Sequence, residues 1–239
     1  LDVRVHAFDG PRTDAEPGVT GYSELPEMAG ANAALRTFGV DLQMVPGVEG
    51  ADVVHSHTWY ANLAGHLAKL LYGIPHVISA HSLEPMRPWK AEQLGGGYAL
   101  SSWVEKTAYE AADRIIAVSG GMREDILRSY PNVDPAKVVV VHNGIDLDGW
   151  KRPADDDPHR LAVLEQWGVD TARPTVMFVG RITRQKGLPY LLRALEKMPP
   201  GVQFILCAGA PDTAGSAQEV EDLVADLRAV RGDGVILIT

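Results

Sequence analysis

The sequence has one cysteine, Cys207, among its 239 residues. A single cysteine cannot form an intrachain disulfide, and the apolar run VQFILCAGA around it indicates a small core residue. Long apolar runs are also missing, since none approaches the roughly 18 residues that a membrane-spanning helix needs. The opening segment LDVRVHAF lacks the basic flank and cleavage site of a signal peptide. These absences predict a cytoplasmic protein with no membrane partner.

Positive charge is scarce as well. The chain has 22 Lys and Arg residues against 31 Asp and Glu residues, a net charge of −9. Such a charge repels the phosphate backbone of nucleic acids and anionic lipid headgroups, so neither is expected as a partner. Hydrophobic residues make up 46% and charged residues 22%, which is typical of a globular domain with a sizeable core.

Short β-branched runs alternate with amphipathic stretches along the whole chain. This alternation predicts βαβ units around parallel sheets. We predict strands at 3–7, 52–55, 76–80, 114–118, 137–141, 175–179, 203–207 and 234–238. Nearly all of these runs are apolar without alternation, so helices are expected to cover both faces of each sheet. In a helix over 62–71, the spacing of four leucines predicts one buried face formed by Leu63, Leu67, Leu70 and Leu71.

The composition changes at KRPADDDPHR, residues 151–160, where prolines and acidic residues interrupt the pattern. We therefore predict two domains, over residues 1–153 and 154–239, with five and three strands. Both ends of the chain run directly into predicted strands. We accordingly expect a fragment of a longer protein, with an incomplete second domain.

Polar residues follow two consecutive predicted strands. His55, His57 and Trp59 end one strand, and His81 and Glu84 follow the next. Ligands of open α/β sheets bind beyond the carboxyl ends of the strands, so this shared position favours a binding role, for His81 in particular. A metal site formed by His55, His57 and His81 is the alternative. No dense acidic group follows to complete such a site, and no metal is predicted.

Cations precede two of the predicted helices. Arg87 and Lys90 lie beside the run of glycines at 95–97, where a helix N-terminus with free amides attracts anions, although a mobile surface loop is an equally good interpretation. The segment GRITRQKG places Arg181, Arg184 and Lys186 just before another helix. The helix dipole disfavours cations there, so their presence predicts a bound diphosphate rather than a solvated charge cluster.

Five segments occur in a fixed order: HSHTWY, AHSLEPMRPWKAEQLGGGY, RIIAVS, HNGID and FVGRITRQKG. In this order they resemble the family-four retaining glycosyltransferases of GT-B fold. The stretch SAHSLEPMRPWKAEQLGGGYALSSWVEKTA is similar to the actinobacterial group of glycogen synthases and maltose-1-phosphate synthases. The resemblance implies an α/β protein with two Rossmann-like domains, an acceptor-side domain whose first strand is missing and the first part of a donor-binding domain.

The resemblance also implies roles for individual residues. Arg181 and Lys186, with Gly180 beside them, would hold the donor diphosphate, and His81 would support the donor sugar without acting as a nucleophile. The implied acceptor-side residues are His57, Trp59, Glu84, Arg87 and Lys90, the last two as candidates for an acceptor phosphate.

The implied reaction moves glucose from ADP-glucose to glucose-1-phosphate or to an α-1,4-glucan, in glycogen biosynthesis, without a metal or cofactor. A family member with another acceptor, a nucleotide-sugar epimerase of the same fold and a non-catalytic nucleotide-sugar sensor are the alternatives. The sequence leaves the acceptor, the donor base and the oligomeric state open. The family's glycine-rich donor loop and its sugar-binding glutamate segment are not found, so the fragment alone is predicted to be inactive.

Overall fold

The computed structural model describes residues 1–8, 10–11, 17–211 and 213–239. The chain divides into two compact units, Leu1–Ile145 and Asp146–Thr239. Each is a layered arrangement of helices on parallel strands. The assignment of acceptor-side and donor-binding domains to residues 1–153 and 154–239 stays a prediction.

The described residues of the first unit form two parallel sheets. Strands β1 (Val5–Ala7) and β2 (Val19–Gly21) pair with each other. The second sheet has the order β3-β4-β5-β6, all parallel. Its strands are Val54–His57, His76–Ala80, Arg114–Ala117 and Val138–Val140. The three-residue strand β2 was not predicted.

Five α-helices accompany these strands in the part of the unit that the structure describes. They are α1 (Ala33–Met44), α2 (Trp59–Tyr72), α3 (Lys90–Leu94), α4 (Gly97–Ala111) and α5 (Gly120–Ser129). The hydrophobic core of this unit lies between the central strands and helices α4 and α5, with Ile78, Tyr109, Ile115 and Ile126 fully enclosed. Two side chains cap helix starts, those of Asn32 for α1 and Ser119 for α5.

The predicted buried face of α2 is wrong. Leu70 and Leu71 are 67% and 66% exposed, and Leu63 and Leu67 are only half-buried. The buried positions of α2 are instead Trp59, Asn62, Gly65 and Ala68. The reason is close packing. A Cβ atom at Gly65 would lie 2.2 Å from Nε2 of His76 on β4, so only the narrow face of the helix can approach the sheet.

The second unit has one parallel sheet in the order β7-β8-β9. Its strands are Thr175–Arg181, Gln203–Gly209 and Val235–Ile238, and its helices are α6 (Pro158–Gln166), α7 (Leu188–Leu195) and α8 (Ala214–Arg231). Helices α7 and α8 cover one face, where Leu188, Leu192, Phe204, Leu206 and Leu227 form the core. The expectation that both faces are covered is wrong for β7, because Met177 and Val179 are 59% and 71% exposed.

The predicted α/β class with parallel sheets is confirmed. In the described parts of the chain, no helix combines the length and the apolar character needed to cross a membrane.

Candidate active site

Three histidines meet at the carboxyl ends of β3 and β4. The register pairs His57 with Ser79, so His57 and His81 leave neighbouring strands at the same edge. His57 Nδ1 lies 3.0 Å from His81 Nε2, and the two rings stack with centroids 5.3 Å apart. His55 Nε2 lies 2.8 Å from the Ser79 hydroxyl. At the contact between His57 and His81 one nitrogen must donate and the other accept, so each ring fixes the tautomer of the other.

The imidazoles of His55 and His57 are less basic than usual. Burial lowers the pKa of His57, and the neighbouring His55 and His81 lower it further. Burial also lowers the pKa of His55, with a contribution from His81. Both rings therefore favour the neutral form more strongly than a free imidazole does. Within the described residues, no three His, Cys, Asp or Glu side chains are placed to hold a metal ion.

Trp59 begins helix α2 directly after this edge. The preceding residue, Thr58, has φ of +65°, a left-handed conformation that a β-branched residue rarely adopts. Trp59 is only 4% exposed. Its ring lies beneath the ammonium group of Lys90, 5.9 Å from Nζ, and the ring of Tyr60 lies 5.8 Å from the same atom. The indole therefore packs under a cation, and the more exposed neighbouring ring is that of Tyr60.

The segment from Glu84 to Lys90, which we name the acceptor-side loop after the role that the resemblance implies, brings two cations to one buried carboxylate. Glu84 has no exposed surface, and Lys90 is 8% exposed. Oε1 of Glu84 lies 3.9 Å from Arg87 Nη1 and 3.9 Å from Lys90 Nζ. Its other oxygen, Oε2, accepts a hydrogen bond of 2.6 Å from the Ser101 hydroxyl.

A second buried carboxyl group, Glu105, lies behind this loop. Glu105 accepts hydrogen bonds from the backbone N–H of Glu84, at 2.7 Å, and from the Tyr130 hydroxyl. Burial raises the pKa of Glu105 to about 7, although both hydrogen bonds favour its ionised form. The Tyr98 hydroxyl donates to the backbone carbonyl of Glu84 at 2.7 Å. Sequence reasoning missed Ser101, Glu105 and Tyr130, since no local motif marks them.

The run of glycines that was predicted to cradle a phosphate begins helix α4. A Cβ atom at Gly97 would lie 2.2 Å from Oδ1 of Asn32, so this glycine is needed for close packing against the start of α1. Gly95 has φ of +53° and ends helix α3. The close packing at Gly97 and the backbone conformation of Gly95 thus explain two of the three glycines without a ligand. Phosphate binding there stays a prediction.

The predicted donor site lies in the second unit, between β7 and α7. Strand β7 ends at Arg181, and the Thr183 hydroxyl accepts the backbone N–H of Lys186 at 3.3 Å. Gly187, with φ of +68°, turns the chain into α7. Arg181 and Lys186 are exposed. This turn therefore holds its cations at the carboxyl end of a parallel strand, ahead of a helix.

Gly180 has a steric role in this turn. A Cβ atom there would lie 3.2 Å from the ring of Phe178 and 3.8 Å from Cδ of Lys186. The stem of Lys186 therefore lies alongside the end of β7.

Comparison with known families decides the kinship of the chain. The model of Glycosyltransferase Family 4 matches residues 1–148, which is more than half of the sequence. The chain belongs to Glycosyltransferase Family 4. The predicted family is thereby confirmed.

Two relatives in this family illustrate the relationship. The chain is 57% identical over 230 residues to an alpha-maltose-1-phosphate synthase of Mycolicibacterium smegmatis, covering 96% of this chain and 58% of the relative. It is 36% identical over 232 residues to a D-inositol 3-phosphate glycosyltransferase of Mycobacterium sp., covering 90% of this chain and 51% of the relative. The chain thus spans little more than half the length of these relatives.

Solved structures with the same fold bear out the GT-B class. Sucrose-phosphate synthase from Thermosynechococcus elongatus superimposes with a TM-score of 0.72 at 20% identity, over 99% of this chain and 60% of that one. Anabaena HepE in complex with UDP and glucose gives a TM-score of 0.69 at 19% identity, over 92% and 55%. At these identities the likeness concerns the fold alone.

The structure of this Family 4 member groups the predicted residues into three sets. His57 contacts His81, Arg87 and Lys90 share the carboxylate of Glu84, and Arg181 and Lys186 occupy one turn of the second unit. The roles assigned to these residues stay predictions.

Proposed function

We propose that the full-length protein is a retaining hexosyltransferase that moves glucose from ADP-glucose to glucose-1-phosphate and so makes α-maltose-1-phosphate, a step of glycogen biosynthesis. The observation that carries this proposal is the 57% identity to an alpha-maltose-1-phosphate synthase over 96% of the chain. The choice of ADP-glucose as donor follows from the resemblance of the sequence to that group.

The acceptor-side loop supports a phosphorylated acceptor. Arg87 and Lys90 both bring a charged nitrogen to within 3.9 Å of the same oxygen of Glu84, so the two cations lie close together. At 3.9 Å neither makes a hydrogen bond to that oxygen. A phosphate group accepts charge-assisted hydrogen bonds from both kinds of side chain. The names of both relatives, a maltose-1-phosphate synthase and an inositol 3-phosphate glycosyltransferase, include a phosphorylated compound.

The turn after β7 supports a donor diphosphate. Arg181 and Lys186 are exposed at the carboxyl end of a parallel strand, where α/β sheets bind ligands. The HepE structure holds UDP-glucose in that protein. In the proposed reaction, these two cations offset the negative charge that develops on the diphosphate as it leaves.

The chemical step needs no nucleophile from the protein. The bond between the glucose C1 atom and the diphosphate breaks, and a new bond from C1 to the acceptor hydroxyl forms on the same face. The proton of that hydroxyl passes to the departing phosphate oxygen. His81, oriented by His57, supports the donor sugar. Independence from metals and cofactors, and a cytoplasmic location, stay predictions from the sequence.

The experiment uses the purified full-length protein with ADP-glucose or UDP-glucose as donor and glucose-1-phosphate, D-inositol 3-phosphate or glycogen as acceptor. We expect α-maltose-1-phosphate, identified by NMR, with ADP-glucose and glucose-1-phosphate as the best pair. Transfer only to D-inositol 3-phosphate would show that this compound, and not glucose-1-phosphate, is the acceptor. Epimerised donor in the absence of an acceptor would indicate an epimerase instead. Donor binding without turnover would indicate a non-catalytic sensor.

A further inference from the structure

The acceptor-side loop rests on two carboxyl groups that water does not reach. Glu84 is 0% exposed and Glu105 is 1% exposed. Burying carboxyl groups costs stability unless they are paired and hydrogen-bonded, and apolar residues of similar volume usually serve a core as well or better. Packing alone therefore does not explain why two carboxyl groups are buried here, one behind the other.

Glu84 is held at several points. Its Oε2 accepts from Ser101, its backbone N–H donates to Glu105, and its backbone carbonyl accepts from Tyr98. Its Oε1 is buried without a hydrogen-bond partner and faces Arg87 and Lys90. The carboxylate thus has a fixed position, and its one oxygen without a hydrogen bond points at the two cations of the loop.

Lys90 is restricted on its other side. Its ammonium group lies within 6 Å of the rings of Trp59 and Tyr60, as well as 3.9 Å from Glu84. Arg87 donates to the Ser82 hydroxyl at 3.1 Å, and its Nε atom is buried without a hydrogen-bond partner. Both cations are therefore placed before any ligand arrives.

We propose that Glu84 and Glu105 are positioning residues of the acceptor subsite, with Glu105 fixing the backbone at Glu84 and Glu84 fixing Arg87 and Lys90 for the acceptor's phosphate. The inference rests on the proposed function, because it takes a phosphorylated acceptor as given. It also changes the role predicted for Glu84, which acts through the two cations rather than by touching the acceptor.

The groups facing Glu105 define how its charge would act. Glu84 and Arg87 face it from the loop, Tyr109 from its own helix, and Tyr130 from the end of α5. Burial raises the pKa of Glu105 to about 7. As the pH rises through this value, a second negative charge forms behind the cations and weakens their attraction for a phosphate.

The first test is Ser101→Ala in the full-length protein. This change removes the hydroxyl that donates to Glu84 without changing any charge, so Glu84 loses the contact that aligns its carboxylate. We expect the KM for glucose-1-phosphate to rise about tenfold, as for one charge-assisted hydrogen bond, with kcat and the KM for a neutral α-glucan within about twofold of wild type. Ser102→Ala on the same helix is the matched control.

The second test is Glu105→Gln, which keeps an oxygen for the Glu84 N–H and the Tyr130 hydroxyl but cannot ionise. From pH 6 to 8.5, the KM of the wild type for glucose-1-phosphate should rise relative to that of the variant. The ionisation of the acceptor itself is common to both proteins and cancels in this ratio. Glu110→Gln, on the same helix, is the control and should follow the wild type.

An equal change, or no change, in the KM for both acceptors in folded Ser101→Ala would overturn the inference. A Glu105→Gln profile that superimposes on that of the wild type would refute the effect of the Glu105 charge on the two cations, since glutamine keeps the hydrogen bond to the Glu84 backbone. If the wild type does not use glucose-1-phosphate, the proposed function fails separately. Binding of inorganic phosphate to wild type and Ser101→Ala, measured by calorimetry, then tests the positioning role, and equal affinities would refute it.

Discussion

The two pairs of cations in this protein are built in opposite ways. Arg87 and Lys90 lie on a loop that carries its own buried counter-ion, whereas Arg181 and Lys186 are exposed on a turn after a strand. The first pair is held by side chains before a ligand binds. The second is placed by backbone geometry, through the Thr183 cap. The same charge can therefore be presented by a rigid buried support or by a solvated turn.

Because of this difference, removing a cation should affect the stability of the fold differently in the two places. Removing a cation of the acceptor-side loop leaves a buried carboxylate with one cation instead of two, which costs stability as well as binding. Removing an exposed cation from the turn after β7 takes no charge out of a buried cluster, so the fold should be affected much less. Substitutions in the two places test this distinction directly.

The largest effect is expected at the exposed pair. In the full-length protein, Arg181→Ala or Lys186→Ala should lower kcat/KM by about 10²–10³, because each removes a charge that stabilises the leaving diphosphate. The melting temperature should stay that of the wild type. Steady-state kinetics and thermal unfolding measure both quantities, with Lys197→Ala as a control in the same unit. Wild-type turnover in both variants would show that this turn takes no part in the reaction.

A smaller kinetic effect with a clear loss of stability is expected for Lys90→Ala. The KM for glucose-1-phosphate should rise about tenfold and that for a neutral glucan little, since only the former carries a phosphate. The melting temperature should fall by several degrees, because Glu84 remains buried with one cation fewer. Lys106→Ala, an exposed change on α4, is the control. A variant as stable as the wild type would show that the two pairs do not differ as described.

The smallest effect on turnover is expected at a buried carboxyl group, whose titration sharpens the contrast between the two units. Burial raises the pKa of Asp41 on α1 to about 8. In the second unit, the pKa of the exposed Asp155 is instead lowered, first by the hydrogen bond from Arg152. Between pH 4 and 8 the folded first unit holds a proton on Asp41 that the unfolded chain has released. The stability of this unit therefore falls as the pH rises through that range.

Asp41→Asn should remove much of this pH dependence, which melting curves from pH 5 to 9 will measure. Asp52→Asn, at an exposed position, serves as the control. An unchanged slope in Asp41→Asn would mean that this carboxyl group does not titrate between the two states as expected.

Features set by local pattern could be predicted from the sequence. Strand β4, His76–Ala80, has the predicted bounds because an apolar run between polar residues defines it. The meeting of His57 and His81 followed from the rule that consecutive parallel strands end at one edge of a sheet. In both cases the information lies within a few residues.

Features set by long-range packing could not be predicted. Glu105 contacts the backbone of Glu84 across 21 residues, and only the fold brings them together. Spacing alone favoured the leucines of α2 as its buried face, because it carries no information on how closely the helix approaches the sheet. Strand β2 was missed because three residues, Val19–Gly21, give too short a pattern.

The contact between Gly65 and His76 also limits how relatives of this protein can diverge. Nε2 of His76 accepts from or donates to the Ser56 hydroxyl at 2.7 Å, so the ring cannot turn away to make room without losing that bond. A side chain at position 65 thus requires a smaller residue at position 76. The two positions should vary together among homologous sequences, and a change at one of them alone should be selected against.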